Sequence, residues 1–135
     1  MAGYSKKSLV TKLGIKPGAR IHFAKPPPNY DRTLGELPAA VEIADQLDGP
    51  LDFVQFFTKE RAELEAEFPA LKQAIAYDGS LWISWPKKAS KVTTDLNENI
   101  VREVGLANGL VDVKVCAVDE IWSGLKFVFR VKDRK

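Results

Sequence analysis

The residues best suited to chemistry lie in a basic loop that follows an apolar segment. Residues 80–85 read SLWISW, and a lysine-rich stretch comes directly after them. The candidate ligand-binding residues are Lys87, Lys88, Ser90, Lys91, Thr93 and Thr94. Ammonium groups, together with backbone amides at a helix start, suit an anion. The loop therefore predicts a phosphate or carboxylate site, and the alternative is a solvated loop in which Thr94 is an ordinary helix cap.

Other reactive side chains do not form a recognisable catalytic set. The chain has one histidine and one cysteine, so a zinc site of the Cys/His type is not expected. His22 lies within an apolar segment, and Cys116 lies among valines, where a cysteine usually behaves as a small hydrophobe. Asp119 and Glu120 are adjacent in a short connection, where neighbouring side chains diverge. Catalytic residues therefore stay unassigned, and no metal is predicted.

Composition favours a folded domain in a reducing compartment. The chain has 135 residues, of which 45% are hydrophobic and 28% charged, so we expect one domain over residues 1–135. No apolar run is long enough for a membrane span, and the start lacks the apolar core of a secretory signal. With a single cysteine, these features predict a cytoplasmic protein. The net charge is +2, and the acidic residues concentrate in the middle of the chain, which argues against nucleic-acid binding.

Hydrophobic periodicity predicts strands that alternate with helices. Strands are expected at 19–24, 51–57, 80–85, 111–118 and 125–131, with a weak one at 40–44. Helices are expected at 5–13, between a Ser5 cap and Gly14; at 60–76, with a kink or split at Pro69; and from a cap at Thr94 or Asp95 to Gly109. Residues 30–37 read as a turn or a short helix, and Asp78-Gly79 as a turn.

These elements predict a Rossmann-like α/β sandwich of three layers. The apolar strand 51–57 suits a buried parallel position, and the short connection 119–124 makes the last two strands an antiparallel hairpin. Phe56 and Phe57 are adjacent and must face opposite sides of the sheet, so helices should cover both faces. The aromatic residues expected in the core are Phe53, Phe56, Phe57, Trp82, Trp85, Phe127 and Phe129.

Several strings resemble known families. The segments LGIKPGARIHF, LKQAIAYDGSLWISWP and VDVKVCAVDEIWSGLKFVFRVK resemble the class I methyltransferases that use S-adenosylmethionine (SAM). The strings LGIKPGAR, RAELE, LWISWPKKAS and VDVKVCAVDEIWSGLKFV resemble more closely a family of small bacterial proteins that is described only as a domain of unknown function. The resemblance to the methyltransferases implies a glycine-rich loop after the first strand. Residues 24–29 read AKPPPN instead, so no cofactor is predicted.

The sequence therefore favours a non-catalytic binding or interaction domain, with the anion site in the 86–95 loop. The alternative is a divergent methyltransferase-like enzyme that acts on a small molecule. Expected partners are a small anionic ligand or another protein. The strand at 111–118, if it lies at an edge of the sheet, can also pair with a copy of itself to give a homodimer.

Overall fold

The computed structural model describes residues 8–134, which form a six-stranded sheet with helices on both faces. The strands are β1 (Arg20–Ala24), β2 (Glu42–Ile43), β3 (Leu51–Phe57), β4 (Ile75–Pro86), β5 (Leu110–Ala117) and β6 (Trp122–Phe129). The helices are α1 (Leu9–Leu13), α2 (Tyr30–Leu34), α3 (Arg61–Ala74) and α4 (Glu98–Ala107). Short 3-10 turns follow β4 and β6, at Lys88–Ser90 and Val131–Asp133.

The strand order is β2-β1-β3-β4-β6-β5. Strands β2, β1, β3 and β4 pair in parallel, whereas β6 runs antiparallel to both of its neighbours, β4 and β5. A helix connects β3 to β4 and another connects β4 to β5, while a short turn joins β5 to β6. This arrangement confirms the predicted Rossmann-like fold, a mostly parallel sheet with a terminal antiparallel hairpin.

Two apolar clusters, one on each face of the sheet, form the core. On one face α3 and α4 cover the sheet, and Phe56 and Trp85 point into this cluster. On the other face α1 and α2 cover Phe57 and Trp82. All seven aromatic residues that were expected in the core are buried. The near-continuous hydrophobicity of β3 and β4 is explained by this double coverage.

Helix α3 differs from the sequence expectation, because it continues through Pro69 without splitting. Pro69 is exposed, whereas Phe68 and Leu71 on either side of it are buried in the core. Packing of these two side chains holds the helix together across the missing amide, since tertiary contacts supply most helix stability. The predicted split at Pro69 is therefore wrong.

The start of α4 also differs, because Asn97 and not Thr94 or Asp95 caps it. Asn97 Oδ1 accepts a hydrogen bond from the amide of Ile100 at 2.9 Å. Thr94 Oγ1 donates to the carbonyl of Lys59 at 2.6 Å, and Asp95 Oδ1 accepts from the amide of Arg61 at 2.8 Å. Asp95 thus caps α3, a helix distant in sequence, which local spacing could not indicate.

Smaller differences concern element boundaries. The cap of α1 is Ser8, and the predicted cap Ser5 lies outside the described residues. Asp78-Gly79 is not a turn between elements but part of an irregularity in β4, where the register with β3 shifts. The weak strand predicted at 40–44 exists as the two-residue β2, and β6 ends at Phe129 rather than at residue 131.

Strand β5 forms one edge of the sheet, as the homodimer hypothesis requires. Val113 and Val115 on this strand are 55% and 47% exposed. Pairing of β5 with a second copy stays a prediction. Among residues 8–134, no helix is long and apolar enough to cross a membrane.

Candidate functional site

Between β1 and β3 the order in which successive strands are added to the sheet reverses, which makes this position a topological switch point. From β1 the chain adds β2 on one side, and β3 then pairs on the other side. In open α/β sheets, ligands bind outside the carboxyl ends of the strands at such a switch point. We call this region the carboxyl end of the sheet. Lys25 follows β1 here, and Thr58 follows β3.

An ion pair spans the switch point. Lys25 Nζ forms an ion pair with Glu63 Oε2 in the first turn of α3, and Thr58 Oγ1 donates to the other carboxylate oxygen. Burial opposes ionisation of Glu63, but the hydrogen bonds from Lys25 and Thr58 hold its pKa below the usual range. The same contact raises the pKa of Lys25. The charges that face the switch point therefore neutralise each other.

The segment between β1 and α2 offers few backbone donors. Pro26, Pro27 and Pro28 have no amide hydrogen, and the amide of Tyr30 donates to the Pro27 carbonyl at 3.2 Å. Lys25 has a φ of 55°, the left-handed region that a glycine adopts most easily. The chain therefore turns sharply after β1 without a glycine, and its three prolines supply no amide donor.

A cleft of about 340 Å³ lies beside this segment, at the carboxyl ends of β1 and β2. Its lining residues are Phe23, Pro26, Pro27, Asn29, Tyr30, Asp31, Leu34, Gly35, Leu37 and Ile43. Aromatic and aliphatic side chains dominate the walls, and Asp31 is the one carboxylate among them. The size and the lining suit a small, largely flat organic molecule.

A buried chain of hydrogen bonds supports the wall of this cleft. The Tyr30 hydroxyl donates to Gln55 Oε1 at 2.6 Å, and Gln55 Nε2 donates to Ser84 Oγ at 3.0 Å. Burial raises the pKa of Tyr30 far above its usual value, so the phenol stays protonated and donates. Sequence reasoning missed this network. The signal was available, because Gln55 and Ser84 are polar residues inside otherwise apolar strands.

The predicted anion loop also lies at the carboxyl end, after β4. Two of its hydroxyl groups already have partners: Ser90 Oγ donates to the Lys87 carbonyl at 2.7 Å, and Thr94 Oγ1 donates to the Lys59 carbonyl at 2.6 Å. Lys88, Lys91 and Thr93 are exposed. Since Asn97 caps α4, the loop does not present an open helix start. The anion site at Lys87–Thr94 stays a prediction.

The remaining candidates have structural surroundings. His22 Nδ1 lies 2.8 Å from the carbonyl oxygen of Ala44, in the strand position that was expected. Asp119 Oδ1 accepts from the amides of Ile121 and Trp122, which fixes the β5–β6 turn. Burial raises the pKa of Cys116, which disfavours the thiolate. Within residues 8–134, no three His, Cys, Asp or Glu side chains are grouped as metal ligands would be.

Comparison with known proteins shows the fold. No family model matches the chain, and no curated protein matches it. The magnesium protoporphyrin IX methyltransferase of Synechocystis PCC 6803, solved with bound SAM, is 15% identical, with a TM-score of 0.58 over 90% of this chain and 74% of that one. A SAM-dependent methyltransferase from Aquifex aeolicus is 13% identical, with a TM-score of 0.55 over 88% and 86%. The 1,6-didemethyltoxoflavin-N1-methyltransferase of Burkholderia thailandensis is 12% identical, with a TM-score of 0.58 over 88% and 75%.

These similarities confirm the distant resemblance to class I methyltransferases. They overturn the sequence-based preference for a non-catalytic binding or interaction domain, because the solved structures that share this fold include several methyltransferases with SAM or S-adenosylhomocysteine bound. The alternative, a divergent methyltransferase-like protein, is the interpretation that agrees with them.

Proposed function

We propose that this chain is a divergent methyltransferase-like enzyme that acts on a small molecule bound at the carboxyl end of the sheet. The observation that supports this most is the position of the 340 Å³ cleft. It lies at the carboxyl ends of β1 and β2, beside the switch point, in a chain whose fold neighbours include methyltransferases with SAM bound.

The residues after β1 do not fit a methyl donor that is cradled by backbone amides. Pro26 to Pro28 supply none, and the Glu63 carboxylate at the switch point is already paired with Lys25. No methyl-transfer step is therefore assigned to this segment. The neighbouring cleft offers what the segment lacks, namely apolar walls for a flat ring and the carboxylate of Asp31 for hydroxyl or ammonium donors.

The experiment that tests this proposal is a calorimetric titration of the full chain with SAM and with S-adenosylhomocysteine. We expect both to bind, and we expect Asp31→Asn to weaken binding by about tenfold, since a hydrogen bond to a charged group contributes about 1.5–3 kcal/mol. Glu36→Gln is the matched control, because Glu36 is exposed, near in sequence and absent from the cleft lining.

Three outcomes separate the alternatives. Binding that Asp31→Asn weakens and Glu36→Gln leaves unchanged supports the cleft as the site and refutes the expectation that no cofactor is used. Binding that both variants retain places the ligand elsewhere. Absence of binding to the wild-type chain would refute the enzyme proposal for adenosyl donors.

A further inference from the structure

A group of lysines gathers on the α1 face of the sheet, away from the cleft described above. Lys114 on β5 and Lys126 on β6 are paired directly across the two strands. Lys12 in α1 and Lys16 just after it complete the group, which we call the lysine cluster. The Lys114 ammonium donates to the Lys12 carbonyl at 2.9 Å. A Cβ added to Gly14 would lie 3.5 Å from Lys126 Nζ, so this ammonium lies against the end of α1.

The charges of the lysine cluster are not neutralised within the described chain. None of the ion pairs formed by residues 8–134 includes Lys12, Lys16, Lys114 or Lys126. Like charges that face each other across two strands destabilise a sheet. Burial lowers the pKa of Lys126, and the charges of Lys114 and Lys16 lower it further. Lys126 is therefore a half-buried cation with cationic neighbours and without an ion pair among residues 8–134.

Capping of α1 does not account for Lys126. The carbonyls at the end of this helix already have donors: Gly14 N bonds to Val10 and Thr11, and the Leu13 carbonyl accepts from Trp82 Nε1 at 2.9 Å. Lys114 satisfies the Lys12 carbonyl. The carbonyls at the end of α1 therefore do not need the Lys126 ammonium as a hydrogen-bond donor.

A cleft of about 260 Å³ opens beside Lys16 and Lys126. Two carboxylates, Asp52 and Asp78, also line it. Asp52 Oδ2 accepts from the Arg20 amide at 2.8 Å, whereas Asp78 is exposed at the irregularity in β4. A ligand that fills this cleft would pair an anionic end with the lysines and present hydroxyl donors to the carboxylates.

We propose that the lysine cluster binds the phosphate group of a small hydroxylated molecule. Two ammonium groups that line the cleft, those of Lys16 and Lys126, supply the charge that a phosphate needs, and the phosphate supplies a counter-charge for Lys126. Lys114 faces Lys126 across the strands and adds positive charge beside it. The site is separate from the carboxyl-end cleft, so this inference does not rest on the proposed function.

The test is an NMR titration of the full chain, at constant ionic strength, with glycerol 3-phosphate, inorganic phosphate and glycerol as the three probes. We expect glycerol 3-phosphate to shift the amides of Gly14, Ser80 and Lys126, and glycerol to shift none. Lys126→Gln should weaken binding by about tenfold, as expected for the loss of one charge-assisted hydrogen bond. Lys126→Arg should retain most of the affinity because it keeps the charge.

The matched control is Lys88→Gln, which removes the same single positive charge from the 86–95 loop at an exposed position. Loss of affinity in this control with full affinity in Lys126→Gln would overturn the proposal and favour the loop. If inorganic phosphate binds as tightly as glycerol 3-phosphate, the inference that the ligand carries hydroxyl groups is refuted. If no probe shifts the amides of the lysine cluster, the site itself is refuted.

Discussion

Lys25 and Lys126 are both lysines on strands or strand ends of one sheet, yet their ammonium groups meet opposite surroundings. Lys25, at the carboxyl end of β1, is exposed and forms an ion pair with Glu63, which Thr58 also contacts. Lys126, on β6, is half-buried, faces Lys114 across the strands and has no carboxylate partner within residues 8–134. The positive charge of Lys25 is therefore neutralised by a neighbouring side chain, whereas that of Lys126 can pair with a ligand.

The same difference holds for the polar groups around the two lysines. Near the carboxyl end the buried polar side chains are connected, from Tyr30 through Gln55 to Ser84. A connected network stabilises the fold and loses stability when one member is removed. An unneutralised cation instead lowers the stability of the folded protein, so removing its charge should raise that stability. Substitutions in the two regions should therefore change the free energy of unfolding in opposite directions.

The largest effect is expected at the carboxyl end, in Tyr30→Phe. The change removes the donor to Gln55 Oε1, and Gln55 is fully buried, so water cannot replace the lost hydrogen bond. We expect the free energy of unfolding to fall by about 1–3 kcal/mol. Urea denaturation monitored by tryptophan fluorescence measures it.

Tyr77→Phe is the matched control, because Tyr77 is 46% exposed and packs by its ring on Phe129. Loss of the Tyr77 hydroxyl should change the free energy of unfolding by less than about 0.5 kcal/mol. Equal effects of the two substitutions would show that the buried chain from Tyr30 to Ser84 does not stabilise the fold.

A smaller effect of opposite sign is expected for Lys126→Met. Removing the like-charge contact with Lys114 should raise the free energy of unfolding by about 0.5 kcal/mol near pH 7. The pKa of Lys126 is lower in the folded chain than its unfolded value of about 10.4, so the unfolded chain binds more protons between these two values. Wild-type stability therefore rises with pH in that window, and the advantage of the variant should shrink there.

Denaturation of both proteins at pH 7 and near pH 10.5 checks this pH dependence. Lys132→Met, at an exposed position in the 3-10 turn after β6, is the control and should show no such trend. A pH-independent difference between wild type and Lys126→Met would mean that only the apolar stem, and not the charge, matters.

The smallest effect is expected for Glu63→Gln, because its ion pair with Lys25 is partly exposed to solvent. The pKa of Glu63 is lowered in the folded chain, so its carboxylate contributes stability above the unfolded pKa of about 4.3. This contribution disappears as the pH falls through the folded pKa. Melting temperatures of variant and wild type should therefore differ at pH 7 and converge in acid, whereas Glu36→Gln should match the wild type throughout.

The alternation of strands and helices was predictable because each buried element carries its own local pattern. The apolar run of β3 and the spacing of Phe68 and Leu71 in α3 are features of contiguous sequence. The cap of α4 was not predictable, because Thr94 and Asp95 look like local caps and yet bond to Lys59 and Arg61. A local pattern contains no information on which distant amide will lie nearby.

The candidate sites show the same division. The absence of a glycine loop after β1 was readable from the residues AKPPPN, and the lysines of the 86–95 loop were readable as a basic run. Neither the cleft at β1 and β2 nor the lysine cluster could be predicted from a local stretch of sequence. Lys12, Lys16, Lys114 and Lys126 lie up to 114 residues apart and come together only through α1 and the β5–β6 hairpin.

The sequence by itself determined the α/β class, the terminal hairpin and the loss of amide donors after β1, because period, turn chemistry and proline act over a few residues. Tertiary structure alone decided which charges are neutralised. Lys25 meets Glu63 since β1 and α3 both reach the switch point, and Lys126 meets Lys114 since β6 runs antiparallel beside β5. Electrostatic energy depends on distance in space, and only the folded chain sets those distances.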